Sequence, residues 1–300
     1  MSLGADARRA ALATAFRAAQ GRVVAALLRR FGVAELSRIE SAVQEAGLRA
    51  LERWNGAEGG GPADAALEGW LVRVAHNVLV DELRNAWRHA PLSERPDDSA
   101  APPEPALDDE LCSIFLCCHP ELPRAAQIAL TLRIVYGFET AQIARAFLSD
   151  ERSVAQRIVR AKQRLREAGT RFELPEQGEI AARLAPILDV LYQLFTEGYA
   201  ATAADTGTDE ALCAESLRLA RLLTDDARWA SPSGEALRAL FCFHLARSAT
   251  RHADDGSLLL LHEQDRARWE PALLEEGFTH LGRSARGDEV SRFHLEAGIA

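Results

Sequence analysis

Six basic side chains crowd the stretch RSVAQRIVRAKQRLR at residues 152–166. They are Arg152, Arg157, Arg160, Lys162, Arg164 and Arg166, in a chain whose formal net charge is −9. Guanidinium groups pair with phosphates and with guanine, and a glutamine amide pairs with adenine. The chemistry that this stretch could perform is therefore the recognition of nucleic acid.

The stretch has the periodicity of an amphipathic helix. Its apolar stripe consists of Val154, Ile158, Ala161 and Leu165, and the opposite side carries Arg152, Gln156, Arg160 and Gln163. Ser149 is expected to cap this helix, and the short turn LSDE separates it from the helical segment ETAQIARAF. Two helices joined in this way predict a helix-turn-helix, whose second helix lies in the major groove of DNA.

The residues expected to read bases occupy the first half of the second helix. They are Ser153, Gln156, Arg157 and Arg160, whereas Arg164 and Arg166 are expected to contact phosphates. An arginine-rich helix face that is merely solvated remains the alternative for this segment alone, because such faces are common.

The elements that would position these residues are predicted to be helices throughout, which gives an all-α fold. Ala, Leu, Arg and Glu dominate the composition. Apolar residues recur at spacings of three and four residues, and the alternating pattern of strands is almost absent. Helices are expected near 5–30, 35–54, 64–89, 107–118, 121–136, 139–147, 150–168, 180–197, 209–223, 233–249 and 264–280.

Composition divides the chain into four parts. Residues 89–110 carry five prolines and seven acids, which predicts a flexible linker. The expected boundaries are a first domain at 1–90, the linker at 91–106, the helix-turn-helix domain at 107–171 and an acidic helical extension at 172–300. The net charges of residues 1–90, 91–120, 121–171 and 172–300 are +2, −6, +5 and −10, so the positive charge is local to the helix-turn-helix.

Other function classes lack their sequence signatures. No apolar run reaches the roughly 18 residues that cross a bilayer, which predicts a cytoplasmic protein with no membrane partner. CSIFLCCH at 112–119 is dense in thiols but lacks the paired spacing of a zinc site, so neither a metal nor another cofactor is expected. Because phosphate-loop, zinc-protease and nucleophile-elbow motifs are absent, we expect no enzymatic activity.

Nearly the whole chain resembles the extracytoplasmic-function (ECF) group of bacterial RNA polymerase sigma factors, in the subgroup with a long helical C-terminal extension. ESAVQEAGLRALERW resembles the polymerase-binding helix of region two, and GWLVRVAHNVLVDELRNAWR resembles the helix that recognises and melts the minus-ten promoter element. The segment from CCHPELPRAA to KQRLREAG resembles region four, which binds the minus-thirty-five element, and LLTDD, LLLLHEQDRARW and SRFHLEAGIA resemble the extension.

The resemblance implies core RNA polymerase and promoter DNA as partners, with a possible regulatory partner for the extension. It implies polymerase contacts by Glu40, Gln44 and Glu45. Contacts to the downstream element are expected from Arg73, His76, Asn77, Arg84, Trp87 and Arg88, and contacts to the upstream element from Thr140, Arg152, Ser153, Gln156, Arg157, Arg160 and Arg164.

Two alternatives remain open at this point. Ser41, Val78 and Glu82 stand where the family usually carries charges that meet polymerase or DNA, which suggests a sigma-derived DNA-binding regulator that does not melt promoters. The acidic segment at 172–300 suggests instead a helical protein-interaction module whose DNA surfaces are vestigial.

Overall fold

A computed structural model describes residues 5–54, 64–86, 103, 107–176, 178–200, 208–253, 257–286 and 288–300. The helices are α1 (Ala5–Phe31), α2 (Leu36–Trp54), α3 (Asp64–Ala86), α4 (Leu107–Cys117), α5 (Arg124–Ile134), α6 (Thr140–Ala146), α7 (Glu151–Glu167), α8 (Ile180–Ala200), α9 (Thr208–Asp225), α10 (Pro232–Ala246), α11 (Pro271–Ser284) and α12 (Arg292–Ile299). Apart from one isolated bridge between His252 and Leu258, the described ranges contain no β-structure, which confirms the all-α prediction. Almost all of the expected linker lies outside the described residues.

The chain divides into two compact units, Met1–Pro175 and Glu176–Ala300. In the first unit, α1, α2 and α3 pack on one another, and α1 also packs on α4 and α5. Gly21 permits this second contact, since a Cβ atom there would lie 2.5 Å from the carbonyl oxygen of Val135. We call α1–α3 the front module and α4–α7 the helix-turn-helix module; within the described part of the unit they share an interface.

The second unit is built around α10, which contacts α8, α9, α11 and α12. Phe195 of α8 stacks on Phe241 of α10 with ring centroids 4.0 Å apart. The buried Arg238 of α10 donates to Glu276 Oε1 at 2.8 Å, and Arg221 binds both oxygens of Glu276 at 2.8 and 2.6 Å. These guanidinium groups hold the pKa of the Glu276 carboxyl at about 2, so an ion network joins α9, α10 and α11.

The helix expected at 264–280 is wrong at its start. Asp265 caps a short 3-10 turn at Arg266–Arg268, and α11 begins only at Pro271. A proline is favoured at the first helical position, since its missing N–H would have no intrahelical partner there. Helix α12 follows the last of the expected helix ranges.

No helix among the described ranges is both long and apolar enough to cross a membrane.

Candidate nucleic-acid interface

The helix-turn-helix is formed by α6 and α7. A capping box at Glu139 and Gln142 starts α6. The N-terminal cap of α7 is Asp150, whose side chain accepts from the backbone N–H of Ser153 at 2.9 Å. The expected cap at Ser149 is therefore wrong; its hydroxyl donates to the carbonyl of Phe147 instead. A carboxylate at this position also interacts favourably with the positive end of the helix dipole.

The turn between the two helices contains a strained residue. Leu148 adopts a φ of 46°, in the left-handed region, and its side chain is 98% exposed. A leucine there has neither the backbone freedom of glycine nor packing to compensate for the strain.

The apolar stripe of α7 has the predicted orientation. Val154, Ile158, Ala161 and Leu165 are all buried, and α7 packs on α5 and α6. Burial of this stripe leaves the opposite side of the helix at the surface.

Most of the expected upstream contacts lie on that surface. The exposed members are Arg152, Ser153, Gln156, Arg160 and Arg164, whereas Thr140 and Arg157 are half-buried. Ser153 is less available as a reader, because its hydroxyl also donates to Asp150 Oδ2 at 3.1 Å. We call Arg152, Gln156, Arg157, Arg160 and Arg164 the reader face.

A surface cleft of about 600 Å³ runs along the reader face. Leu122, Pro123 and Ala126 at the start of α5 form one wall, and Gln156, Arg157, Arg160 and Arg164 form the other. Arg164 also pairs with Glu121 at 3.2 Å, with both side chains more than half exposed. Such a surface ion pair contributes little to stability, so Arg164 can leave Glu121 and bind a phosphate instead.

Lys162 does not share the outward orientation expected from the basic cluster. Its side chain is only 16% exposed, and its Nζ donates to Glu40 Oε2 on α2 of the front module. Burial lowers the pKa of the Lys162 ammonium to about 8. Sequence reasoning missed this pairing because nothing in the α7 pattern indicates a partner on a distant helix.

Of the three expected polymerase contacts, only two are accessible. Gln44 is exposed and Glu45 is half-buried, where it accepts from Arg49 Nε at 3.0 Å. The Glu40 side chain is 5% exposed and also accepts from Arg133 Nε on α5 at 2.9 Å. In this conformation Glu40 is closed off by the helix-turn-helix module.

Some of the residues expected to contact the downstream element are exposed, and one is buried. Arg73, Asn77 and Arg84 recur at helical spacing on one exposed side of α3. His76 lies apart from them, buried with its ring 5.5 Å from that of Phe31, and burial lowers its pKa. A neutral, packed imidazole is not a phosphate contact in this conformation. Trp87 and Arg88 lie outside the described residues.

The thiol-rich segment belongs to the core. Cys112, Cys117 and Cys118 are buried thiols, and burial raises the pKa of Cys112 to about 12. His119, by contrast, accepts from the backbone N–H of Glu121 at 3.2 Å. Burial also raises the pKa of Cys117, so these two thiols resist forming the thiolate that binds metals.

Comparisons with known proteins agree with the helix-turn-helix. Residues 113–165 match the family model described as sigma-70, region 4, and residues 183–285 match a family of unknown function, DUF6596. An uncharacterised protein of Rhizobium meliloti (strain 1021) is 35% identical over 302 residues, which cover 94% of this chain and 68% of that protein. No solved structure matches.

The matched sigma-70 segment runs from α4 into α7 and contains the whole reader face. Sigma-70 proteins are transcription factors and not enzymes, and Arg152, Arg160 and Arg164, the exposed arginines of the reader face, lie within the matched segment. The chain is a member of the sigma-70 family.

Proposed function

We propose that this chain is a sigma factor of the ECF group, which directs core RNA polymerase to particular promoters. The observation that carries the proposal is the reader face on the second helix of the sigma-70 region 4 module, which is exposed apart from the half-buried Arg157. Its guanidinium and amide groups suit the edges of guanine and adenine in the major groove. The upstream promoter element is the site that this face would read.

A second DNA surface supports the same proposal. Arg73, Asn77 and Arg84 on α3 give the front module an exposed polar side of its own. Cationic and amide side chains of this kind can hold the backbone and edges of unstacked bases. The front module would then capture the downstream element while the helix-turn-helix module holds the upstream one.

The second unit supplies a different kind of surface. Residues 172–300, which contain the whole second unit, carry a net charge of −10, which repels DNA phosphates and favours a basic partner. We propose that this unit regulates the DNA-binding modules or docks a regulatory partner, whether within the chain or on another protein.

The test selects duplexes from a random pool with the purified full chain and measures affinity by fluorescence anisotropy. Arg160→Ala should weaken binding to the selected duplex by about 1–3 kcal/mol if it contacts a base, and relax the preference at one position. Arg283→Ala is the matched control, because it removes the same charge from an exposed side chain of α11. Equal affinities of the two variants would remove Arg160 from the interface.

A second function is favoured by one observation. The burial of His76 removes one expected contact from the front module, which fits a DNA-binding regulator that does not melt promoters. Permanganate footprinting of polymerase–promoter mixtures separates the two functions: reactive thymines in the downstream element indicate melting. Tight duplex binding without reactive thymines would favour the regulator.

A further inference from the structure

Three charged side chains from three helices meet at the interface of the front and helix-turn-helix modules. The Glu40 carboxylate of α2 accepts one hydrogen bond from Arg133 of α5 and another from Lys162 of α7. Their side chains are 5%, 15% and 16% exposed, so the ion pairs are largely shielded from water. We call Glu40, Arg133 and Lys162 the clasp.

A second ion pair ties the same two modules together. Arg29 of α1 lies 3.0 Å from Asp109 of α4, whose side chain is 5% exposed. The 3-10 turn at Val33–Glu35, which precedes α2, also packs on α7. The clasp is therefore part of a closed interface and not an isolated surface pair.

The clasp and the reader face lie on different sides of α7. At 100° per residue, Lys162 is roughly 160° from both Arg160 and Arg164 around the helix axis. The closed arrangement consequently leaves the reader face open to DNA. It covers the Glu40 carboxylate and fixes the distance between the two DNA-binding modules.

We propose that the clasp is an autoinhibitory lock, which holds the two modules together in the free protein and which core polymerase opens by drawing Glu40 onto a basic surface. This inference rests on the proposed function, since a sigma factor must place its modules on two separate promoter elements. Opening breaks the ion pairs but returns the three charged groups to water, which gives back the desolvation cost of the closed interface. A cation offered by polymerase would compensate Glu40, and solvent would then reach Arg133 and Lys162.

The chain offers a direct probe of the clasp, because Lys162 is its only lysine. A water-soluble carbodiimide activates the Glu40 carboxylate; the Lys162 amine attacks the activated carbonyl, an amide forms and the activator leaves as its urea. The product has lost one water, and mass spectrometry of peptides locates the link. The N-terminal amine is the other amine that can react.

The free wild-type protein should form the link between Glu40 and Lys162, and saturating core polymerase should lower its yield at least tenfold. Glu40→Gln should abolish the link, whereas Glu52→Gln, which removes an exposed carboxylate from the same helix, should leave it intact. Absence of the link in the free protein, or its persistence in protein that co-sediments with polymerase, would overturn the proposal.

A second variant tests the inhibitory role without touching Glu40. Lys162→Met removes one cation from the clasp and should tighten the association with core polymerase several-fold, while duplex binding by the free protein stays unchanged. An unchanged or weaker association would contradict the lock. If the wild-type chain does not associate with polymerase, the proposed function and the opening step both fail, whereas the link in the free protein still establishes the clasp.

Discussion

Glu40 and Lys162 stand 122 residues apart in the sequence and form an ion pair in the fold. The resemblance implies a polymerase contact for Glu40, and Lys162 belongs to the basic cluster of α7. Because the two side chains pair with each other, neither charge is available to a partner in this conformation. The closed first unit is thus held by groups that an isolated front module or helix-turn-helix would present to water.

Removal of the Glu40 charge should destabilise the chain. Glu40→Gln leaves Arg133 and Lys162 partly buried beside a neutral amide, and breaking such a buried pair costs about 3 kcal/mol. Urea unfolding followed by circular dichroism measures the change, with Glu52→Gln expected to stay within about 0.5 kcal/mol of wild type. Equal stabilities of the two variants would show that the clasp contributes nothing to the folded state.

The strained turn before α7 should tolerate glycine better than leucine. Leu148→Gly should raise the free energy of unfolding by about 1 kcal/mol, because glycine adopts a φ of 46° without steric cost and an almost fully exposed side chain loses no packing. Leu148→Ala keeps the strain and should stay close to wild type. A Leu148→Gly variant that is less stable than Leu148→Ala would refute the strain at this residue.

Substitution of Arg160 and substitution of Arg164 should have different effects on how the affinity for DNA depends on salt. Arg164 is expected to contact a phosphate once it leaves Glu121, so Arg164→Ala should weaken all duplexes alike and reduce the slope of log affinity against log salt by about 1. Arg160→Ala should instead weaken the selected sequence more than an unrelated one. Anisotropy titrations on both duplexes across a salt series separate these outcomes, and identical behaviour of the two variants would contradict the assignment.

Acid should weaken the second unit through Glu276. Its pKa is about 2 in the folded state against 4.5 for the unconstrained group, so its contribution is fully present above pH 4.5 and is lost as the pH falls toward 2. Allowing for solvent screening, the loss is about 2 kcal/mol. Glu276→Gln should lack this part of the acid transition, whereas the exposed Glu275→Gln should retain it. Unfolding curves between pH 2 and 6 measure the difference, and a Glu276→Gln curve that parallels wild type would contradict it.

Local sequence patterns were sufficient to predict much of the fold. The stripe of Val154, Ile158, Ala161 and Leu165 predicted which side of α7 is buried, because a 3.6-residue period needs only neighbouring residues. Start signals were less reliable where two candidates compete. Asp150 caps α7 in place of Ser149, and Pro271 starts α11 later than the apolar pattern suggested.

Contacts between distant helices were beyond sequence reasoning. The burial of Glu40 depends on Arg133 and Lys162, which lie 93 and 122 residues further along the chain. His76 is of a residue type that can contact DNA, but its ring packs on Phe31 of α1. In both cases a polar residue on an amphipathic helix acquires its environment from another element, which a single-helix pattern does not encode.

The most direct test of the central proposal is run-off transcription with purified core polymerase. The template carries a promoter that contains the duplex selected by the protein at the upstream position. We predict a transcript that requires this chain, is strongly reduced by Arg160→Ala and is unaffected by Arg283→Ala. Duplex binding without any transcript, over a range of polymerase and protein concentrations, would contradict the assignment as a sigma factor.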